Sequence, residues 1–222
     1  MLRKSILLKR IAILLITSIA TMTQAADVRA IAAAVDRHYN HLHTLECDFT
    51  EIYSGSGSER TETGTLWLKK PGKMRWEYRS PREKLFVGDG KNVWFYVPSE
   101  RQVRKTSMKK LDDLRSPLAF LLGKTQLGKE LLRLSLAPEV APLASGDVIL
   151  KGVPRGFQDR LNQVLVEITA ENSIRRIVLH EADGATIEYR FSEQKEDVAI
   201  SDQHFEFRVP DGVEVVEESF GQ

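Results

Sequence analysis

The chain has 222 residues, 42% hydrophobic and 28% charged, which are ordinary values for a folded domain and exclude a disordered or fibrous polymer. Its formal net charge is +1, but Arg3, Lys4, Lys9 and Arg10 supply that excess, and without these four the acidic residues outnumber the basic ones by three. That balance excludes a global nucleic-acid footprint, so no nucleic acid is expected as a partner.

The first residues have three parts. A basic start is followed by the apolar run Ile11 to Met22 and then by Thr23-Gln24-Ala25, with small residues at −3 and −1 of a cut after Ala25. Residues 1–25 therefore read as a cleavable signal peptide, because the apolar run is short for a bilayer span of about 20 residues. Residues 26–222 suit a single β-rich domain.

From Val28 to Leu42 the apolar residues Val28, Ile31, Val35, Tyr39 and Leu42 recur at helical steps, which predicts one amphipathic helix. The period then switches to two. Leu45, Cys47 and Phe49, then Leu66 and Leu68, then Met74, Trp76 and Tyr78 each alternate with polar or outward residues. Ser54 to Ser58 reads as a hairpin connection, Pro71-Gly72 as a tight turn, and Asp89-Gly90 and Asp183-Gly184 as hairpins. Short strands are expected at Leu85–Val87, Val93–Val97 and Gln102–Lys105. In the middle, Ser116-Pro117 opens Leu118 to Leu122, closed by Gly123, which predicts one or two helical turns. A second short helix is expected within Gln126 to Leu132. Strands resume near 132–137, 148–152, 164–169, 174–181, 187–191 and 205–209. The sum is about eleven antiparallel strands that curl into a sheet or barrel, with helices over the concave side or the open end.

Catalytic motifs are missing. There is no phosphate loop, no His-Glu-x-x-His and no nucleophile elbow. His38, His41 and His43 lie at a helix end without a third and fourth ligand type nearby, so no metal or cofactor is expected. Cys47, the one cysteine, does not directly follow the apolar run and reads as a small buried hydrophobe. Basic residues crowd Lys69 to Lys110 and read first as the wet face of a half-buried sheet, with a basic rim for anionic head groups as the functional version. The apolar stripes suit either a filled core or a ligand cavity. The central apolar helices and the aromatics Trp67, Trp76 and Trp94 lean modestly toward a cavity.

The run Gly64-Thr65-Leu66-Trp67-Leu68-Lys69-Lys70-Pro71-Gly72-Lys73-Met74-Arg75-Trp76-Glu77-Tyr78 resembles the signature of the periplasmic outer-membrane lipoprotein carrier family, LolA. So do Val87-Gly88-Asp89-Gly90, Val93 to Pro98 and Gln102. Phe49-Thr50-Glu51 resembles that family's Phe-x-Gln, with Glu for Gln. Pro117 with Leu118 to Leu122 resembles its mid-chain helix, and Phe205 to Pro210 with Gly212-Val213 resembles its ending. The resemblance implies an open, incomplete β-barrel with helices as a lid over an apolar cavity. It implies a monomeric, non-enzymatic periplasmic chaperone that takes acylated lipoproteins from an inner-membrane ABC transporter to an outer-membrane receptor lipoprotein.

Under that resemblance Leu45, Phe49, Leu66, Leu68, Met74, Trp76, Phe86 and Phe95 are the expected cavity lining. Leu118, Phe120, Leu121 and Leu122 are the expected lid. Lys70 occupies the place of a basic residue that latches the lid through its backbone, with Lys where the family's best-studied members have Arg, so the planar fork of donors is lost. Two alternatives remain at this stage. One is a related lipid-binding module on the same scaffold, either a lipoprotein sensor or a carrier of free lipid or glycolipid. The other is a small hydrolase with an unrecognised site. A sensor of the first kind carries a further domain after the barrel, whereas this chain ends soon after Phe220.

Overall fold

The computed structural model describes residues 27–108 and 126–217. Residues 27–41 form a helix, α1. Strands β1 (Thr44–Gly55), β2 (Ser58–Lys69), β3 (Lys73–Ser80), β4 (Lys84–Asp89), β5 (Asn92–Val97) and β6 (Gln102–Ser107) follow as consecutive antiparallel neighbours. After a one-turn helix, α2 (Leu127–Glu130), come β7 (Leu131–Leu136), β8 (Val148–Pro154), β9 (Leu161–Ile168), β10 (Ile174–Glu181) and β11 (Thr186–Glu196). β11 pairs with β1, and a last short strand, β12 (Glu214–Glu217), runs parallel to β6. The result is one 12-stranded sheet with β12 and β7 at its two ends, a curled sheet that is not closed.

The long first hairpin shows how local chemistry sets this register. Ser56 and Gly57 both take positive φ (50° and 74°), so the connection is a two-residue turn whose twist matches its strands. The strands therefore run well past the expected ends of the alternation, to Gly55 and from Ser58. At the Asp89-Gly90 hairpin the Asp89 carboxylate accepts the backbone N–H groups of Lys91 and Asn92, each at 2.7 Å.

Three expectations are corrected. Phe205–Val209 is not a strand: Asp202–Phe205 is a 3-10 turn capped by Ser201, and the chain then runs unpaired until β12. The helix expected across Gln126 to Leu132 is confined to Leu127–Glu130, because Leu131 already adopts extended backbone and enters β7. The sheet is not wholly antiparallel, since the chain crosses the molecule before β12 and arrives alongside β6 in the same direction. Residues 1–25, expected as a signal peptide, and Leu118, Phe120, Leu121 and Leu122, expected as a lid, lie outside the described residues.

Because side chains alternate across a strand, the register sorts them into two faces. One face carries Leu45, Cys47 and Phe49 of β1, Leu66 and Leu68 of β2, Met74 and Trp76 of β3, and Phe191, Ile177, Val166 and Leu150 of β11 to β8. These belong to a single core with the α1 stripe Val28, Ala32, Val35, Tyr39 and Leu42. We call it the concave face. The opposite, convex face has two separate covers. Over β8 to β10, the loop after β7 brings Ala137 and Val140 onto Ile149, Leu165 and Val178. Over β2 to β5, it is the segment between β11 and β12 that lies on the sheet.

Candidate apolar binding face and its covers

The eight residues expected to line a cavity all fall on the concave face of β1 to β5. Cross-strand partners place them in three rows. Leu45, Leu68, Met74, Gly88 and Val93 form one, and Cys47, Leu66, Trp76, Phe86 and Phe95 the next. A third row begins Phe191, Phe49, Gly64 and Tyr78. Leu66 is fully buried and Phe49 is 2% exposed, whereas Phe86 is only half-buried where it packs against the core. The Phe49 ring lies tilted against Trp76 at 4.9 Å and edge-on to Tyr78 at 4.8 Å between centroids.

Two glycines make this surface possible. A Cβ on Gly64 would meet the Glu77 carbonyl at 2.1 Å and the Phe49 ring at 2.8 Å. The missing side chain is the seat of the Phe49 ring. A Cβ on Gly88 would meet Met108 at 2.6 Å and Met74 at 3.1 Å, so Gly88 lets Met108 settle on the same face.

Helix α1 covers this face, held by its apolar stripe and by a few polar tethers. Tyr39 Oη accepts the backbone N–H of Ile174 at 2.8 Å, and burial, together with nearby charge, pushes the Tyr39 hydroxyl pKa well up. Asp36 accepts the N–H of Leu127 at 2.9 Å, and burial raises its pKa against that hydrogen bond. Lys70 Nζ donates to the carbonyls of Tyr39 at 2.6 Å and Asn40 at 2.9 Å. These are carbonyls of the last helical turn, which lack intrahelical partners and attract a cation. Burial lowers the Lys70 pKa, with the Asp197 carboxylate acting in the opposite sense. Thus the side-chain hydrogen bonds of Lys70 go to α1. The lid segment it was expected to latch lies outside the described residues.

The aromatics are divided between the faces. Trp76 is concave, but Trp67 and Trp94 are convex and covered by the segment after β11. His204 stands edge-on to Trp67 at 4.6 Å, Phe207 packs on Trp94 and Tyr96 at 5.5 and 5.7 Å, and Phe205 is 1% exposed. Lys69 and Lys73 grip Asp202 at 2.6 and 2.8 Å and hold its carboxyl down at a pKa of about 2. The Arg75 guanidinium donates to the His204 carbonyl at 3.4 Å. Several of the crowded basic residues are therefore clamps for this strap. Alternation in the sequence showed that these residues share a face, but not that a distant segment would lie on it.

Among the described residues the contacts of His38 do not form a proton relay. Ser173 Oγ and Glu196 Oε1 approach the same His38 nitrogen, Nε2, at 3.4 and 2.8 Å, so the imidazole cannot relay a proton between them. Among the described residues no three His, Cys, Asp or Glu side chains group as a metal set. Cys47 is 1% exposed on the concave face, and burial, aided by Asp48 and Glu46, raises its thiol pKa to about 12. No described helix is long and apolar enough to cross a membrane.

Comparisons with known proteins agree with this architecture. The family model described as "Outer membrane lipoprotein carrier protein LolA" matches residues 40–208. A Chromobacterium violaceum protein named outer-membrane lipoprotein carrier protein is 31% identical over 205 residues, covering 89% of this chain and 91% of its own. One of the same name from Hahella chejuensis is 30% identical over 217 residues, covering 96% and 99%. Among solved structures, an uncharacterized conserved protein from Thermus thermophilus superposes with a TM-score of 0.55 at 15% identity, covering 88% of this chain and all of that one, and shares the fold. Matched over most of its length by the family model and by relatives at this identity, the chain belongs to the outer membrane lipoprotein carrier protein LolA family.

Proposed function

We propose that this protein is a periplasmic chaperone that shelters the acyl chains of lipoproteins on its concave face. It receives them from an inner-membrane ABC transporter and delivers them, as a soluble monomer freed of residues 1–25, to an outer-membrane receptor lipoprotein. The observation that carries this reading is the broad apolar face of an unclosed sheet under a helix, α1, whose hold on it combines an apolar stripe with few polar tethers. Membership of the family supports it.

The physical need is plain. Each buried methylene contributes about 0.8 kcal/mol, so several acyl chains cannot cross water unsheltered. The carrier must also release its cargo to a membrane. A cover that already packs on the empty face supplies this, since moving it aside subtracts from the affinity for the chains. Handing cargo from one binding face to the next needs no chemistry on it, and the rows from Leu45 to Phe49 are mostly Leu, Phe, Trp and Met, with the Cys47 thiol buried and held protonated.

The test is to express the full chain in a Gram-negative host, isolate the mature protein from the periplasmic fraction, and analyse it by intact and denaturing mass spectrometry. Expected are cleavage after Ala25 and co-purifying triacylated protein. Free lipids without lipoprotein would overturn the proposed cargo, and retention in the cytoplasm would overturn the location.

A further inference from the structure

The apolar rows of the concave face end abruptly. Two residues beyond Phe49 on the same face of β1 stands Glu51, and two residues before Gly64 on β2 stands Glu62. They are direct cross-strand partners, with Tyr189 of β11 opposite Glu51. Both carboxylate residues are buried, at 9% and 3% exposure. Two like charges side by side in a buried row persist only when each is separately satisfied. Here Tyr78 Oη donates to Glu51 at 2.7 Å, and Lys84 Nζ donates to Glu62 at 2.6 Å while lying 4.2 Å above the Tyr78 ring. Arg60 adds a second cation 3.5 Å from Glu62, and Tyr189 also hydrogen-bonds Glu51. Burial, reinforced by the Glu51 charge, raises the pKa of both tyrosine hydroxyls, so they stay protonated as donors.

Resting on the carrier reading above, we infer that this row is the floor of the acyl-binding face and sets the longest acyl chain the protein accommodates. A chain laid along β1 and β2 passes hydrocarbon from Leu45 to Phe49 and then meets a closed network of paired charges and hydroxyls. From Leu45 to Glu51 is six strand residues, roughly 20 Å, a length matched by an extended palmitoyl chain. To go further, a methylene must part hydrogen-bonded buried groups, which costs more than its own burial returns. Glu51, Glu62, Tyr78 and Lys84 are thus specificity-determining residues that touch no polar part of the cargo. They limit it by refusing hydrocarbon.

The test displaces a bound anilinonaphthalene sulfonate dye from the mature protein with lauric, myristic, palmitic and stearic acids below their micelle concentrations. For the wild type, affinity rises about fourteenfold for each added pair of methylenes up to palmitic acid and gains nothing at stearic acid. In the variant Glu51→Leu/Tyr78→Phe/Glu62→Leu/Lys84→Met, which removes both carboxylates, the Tyr78 hydroxyl and the Lys84 cation, the rise continues through stearic acid. Should that variant not fold, Glu62→Leu/Lys84→Met makes the same comparison with fewer changes. A wild-type rise that continues to stearic acid, or a plateau that folded variants leave in place, overturns the floor while leaving the carrier reading intact. Failure of the wild type to bind any of the four acids overturns the carrier reading, and the floor with it.

Discussion

The two faces of β2 to β5 are built from similar residues but are closed in different ways. On the concave side Leu66, Leu68 and Trp76 share one core with α1, a separate helix whose polar tethers reach it from β2, α2, β10 and β11. On the convex side Trp67, Trp94 and Tyr96 lie under an irregular strap, residues 197–213, that β12 pins at its far end and Asp202 grips near its start. The strap is continuous with strands at both ends, so it cannot leave without breaking the sheet edge at β6. The helix joins the sheet at one described end only, through the turn into β1. An apolar face under a hinged cover can exchange its contents, whereas one under a strap sewn into the sheet is simply core.

Truncating the strap tests this contrast most severely. Phe205→Ala removes a side chain 1% exposed, and it is expected to lower unfolding free energy by about 3 kcal/mol while leaving fatty-acid binding by the folded protein unchanged. Chemical denaturation and dye displacement on one preparation check both halves. A large loss of binding without loss of stability would reverse the roles assigned to the two faces.

Loosening the helix gives a smaller, opposite signature. Lys70→Leu leaves the Tyr39 and Asn40 carbonyls without their cation and is expected to cost about 1 kcal/mol. Its larger effect should be on exchange. Backbone amides of residues 27–41 become deuterated faster, and bound lipoprotein passes to the receptor faster than from wild type. Equal transfer rates would remove Lys70 from the release step.

The smallest effect concerns pH, and it belongs to the strap. His204 Nε2 is buried without a hydrogen-bond partner. Burial, then the Arg75 guanidinium, lowers its pKa below 6.5, with Glu77 and Glu46 pulling the other way. The unfolded chain therefore binds the proton first as pH falls. Stability from this group is present above about pH 6.5 and declines as pH drops below it. The thermal midpoint should fall across that window for wild type and vary less for His204→Leu, with no parallel change in fatty-acid affinity.

Much of the fold was legible locally. The α1 stripe, the alternation in β1 to β3 and the turn pairs at Asp89-Gly90 and Asp183-Gly184 lie in short stretches whose period and turn chemistry state their conformation directly. Parity within each strand grouped Leu45 with Phe49, Leu66 with Leu68 and Met74 with Trp76, and the register puts all six on one face. Parity could not say that Trp67 and Trp94 would be covered, because their partners His204 and Phe207 lie more than a hundred residues away in a segment that reads as a strand. The polar row Glu51 and Glu62 was equally hidden. Glutamate on a strand reads as solvent-facing until Tyr78, Tyr189 and Lys84, from three other strands, are seen to close around it.

By itself, then, the sequence determined the period of each element, the turns between neighbours and the family, since these depend on residues a few positions apart or on motifs carried intact. The tertiary structure decided which apolar face is covered by a helix and which by a strap, where the apolar face ends, and which carbonyls Lys70 meets. Those outcomes depend on residues far apart in the chain meeting across a curled sheet, and burial, unlike alternation, is a property that no single strand possesses.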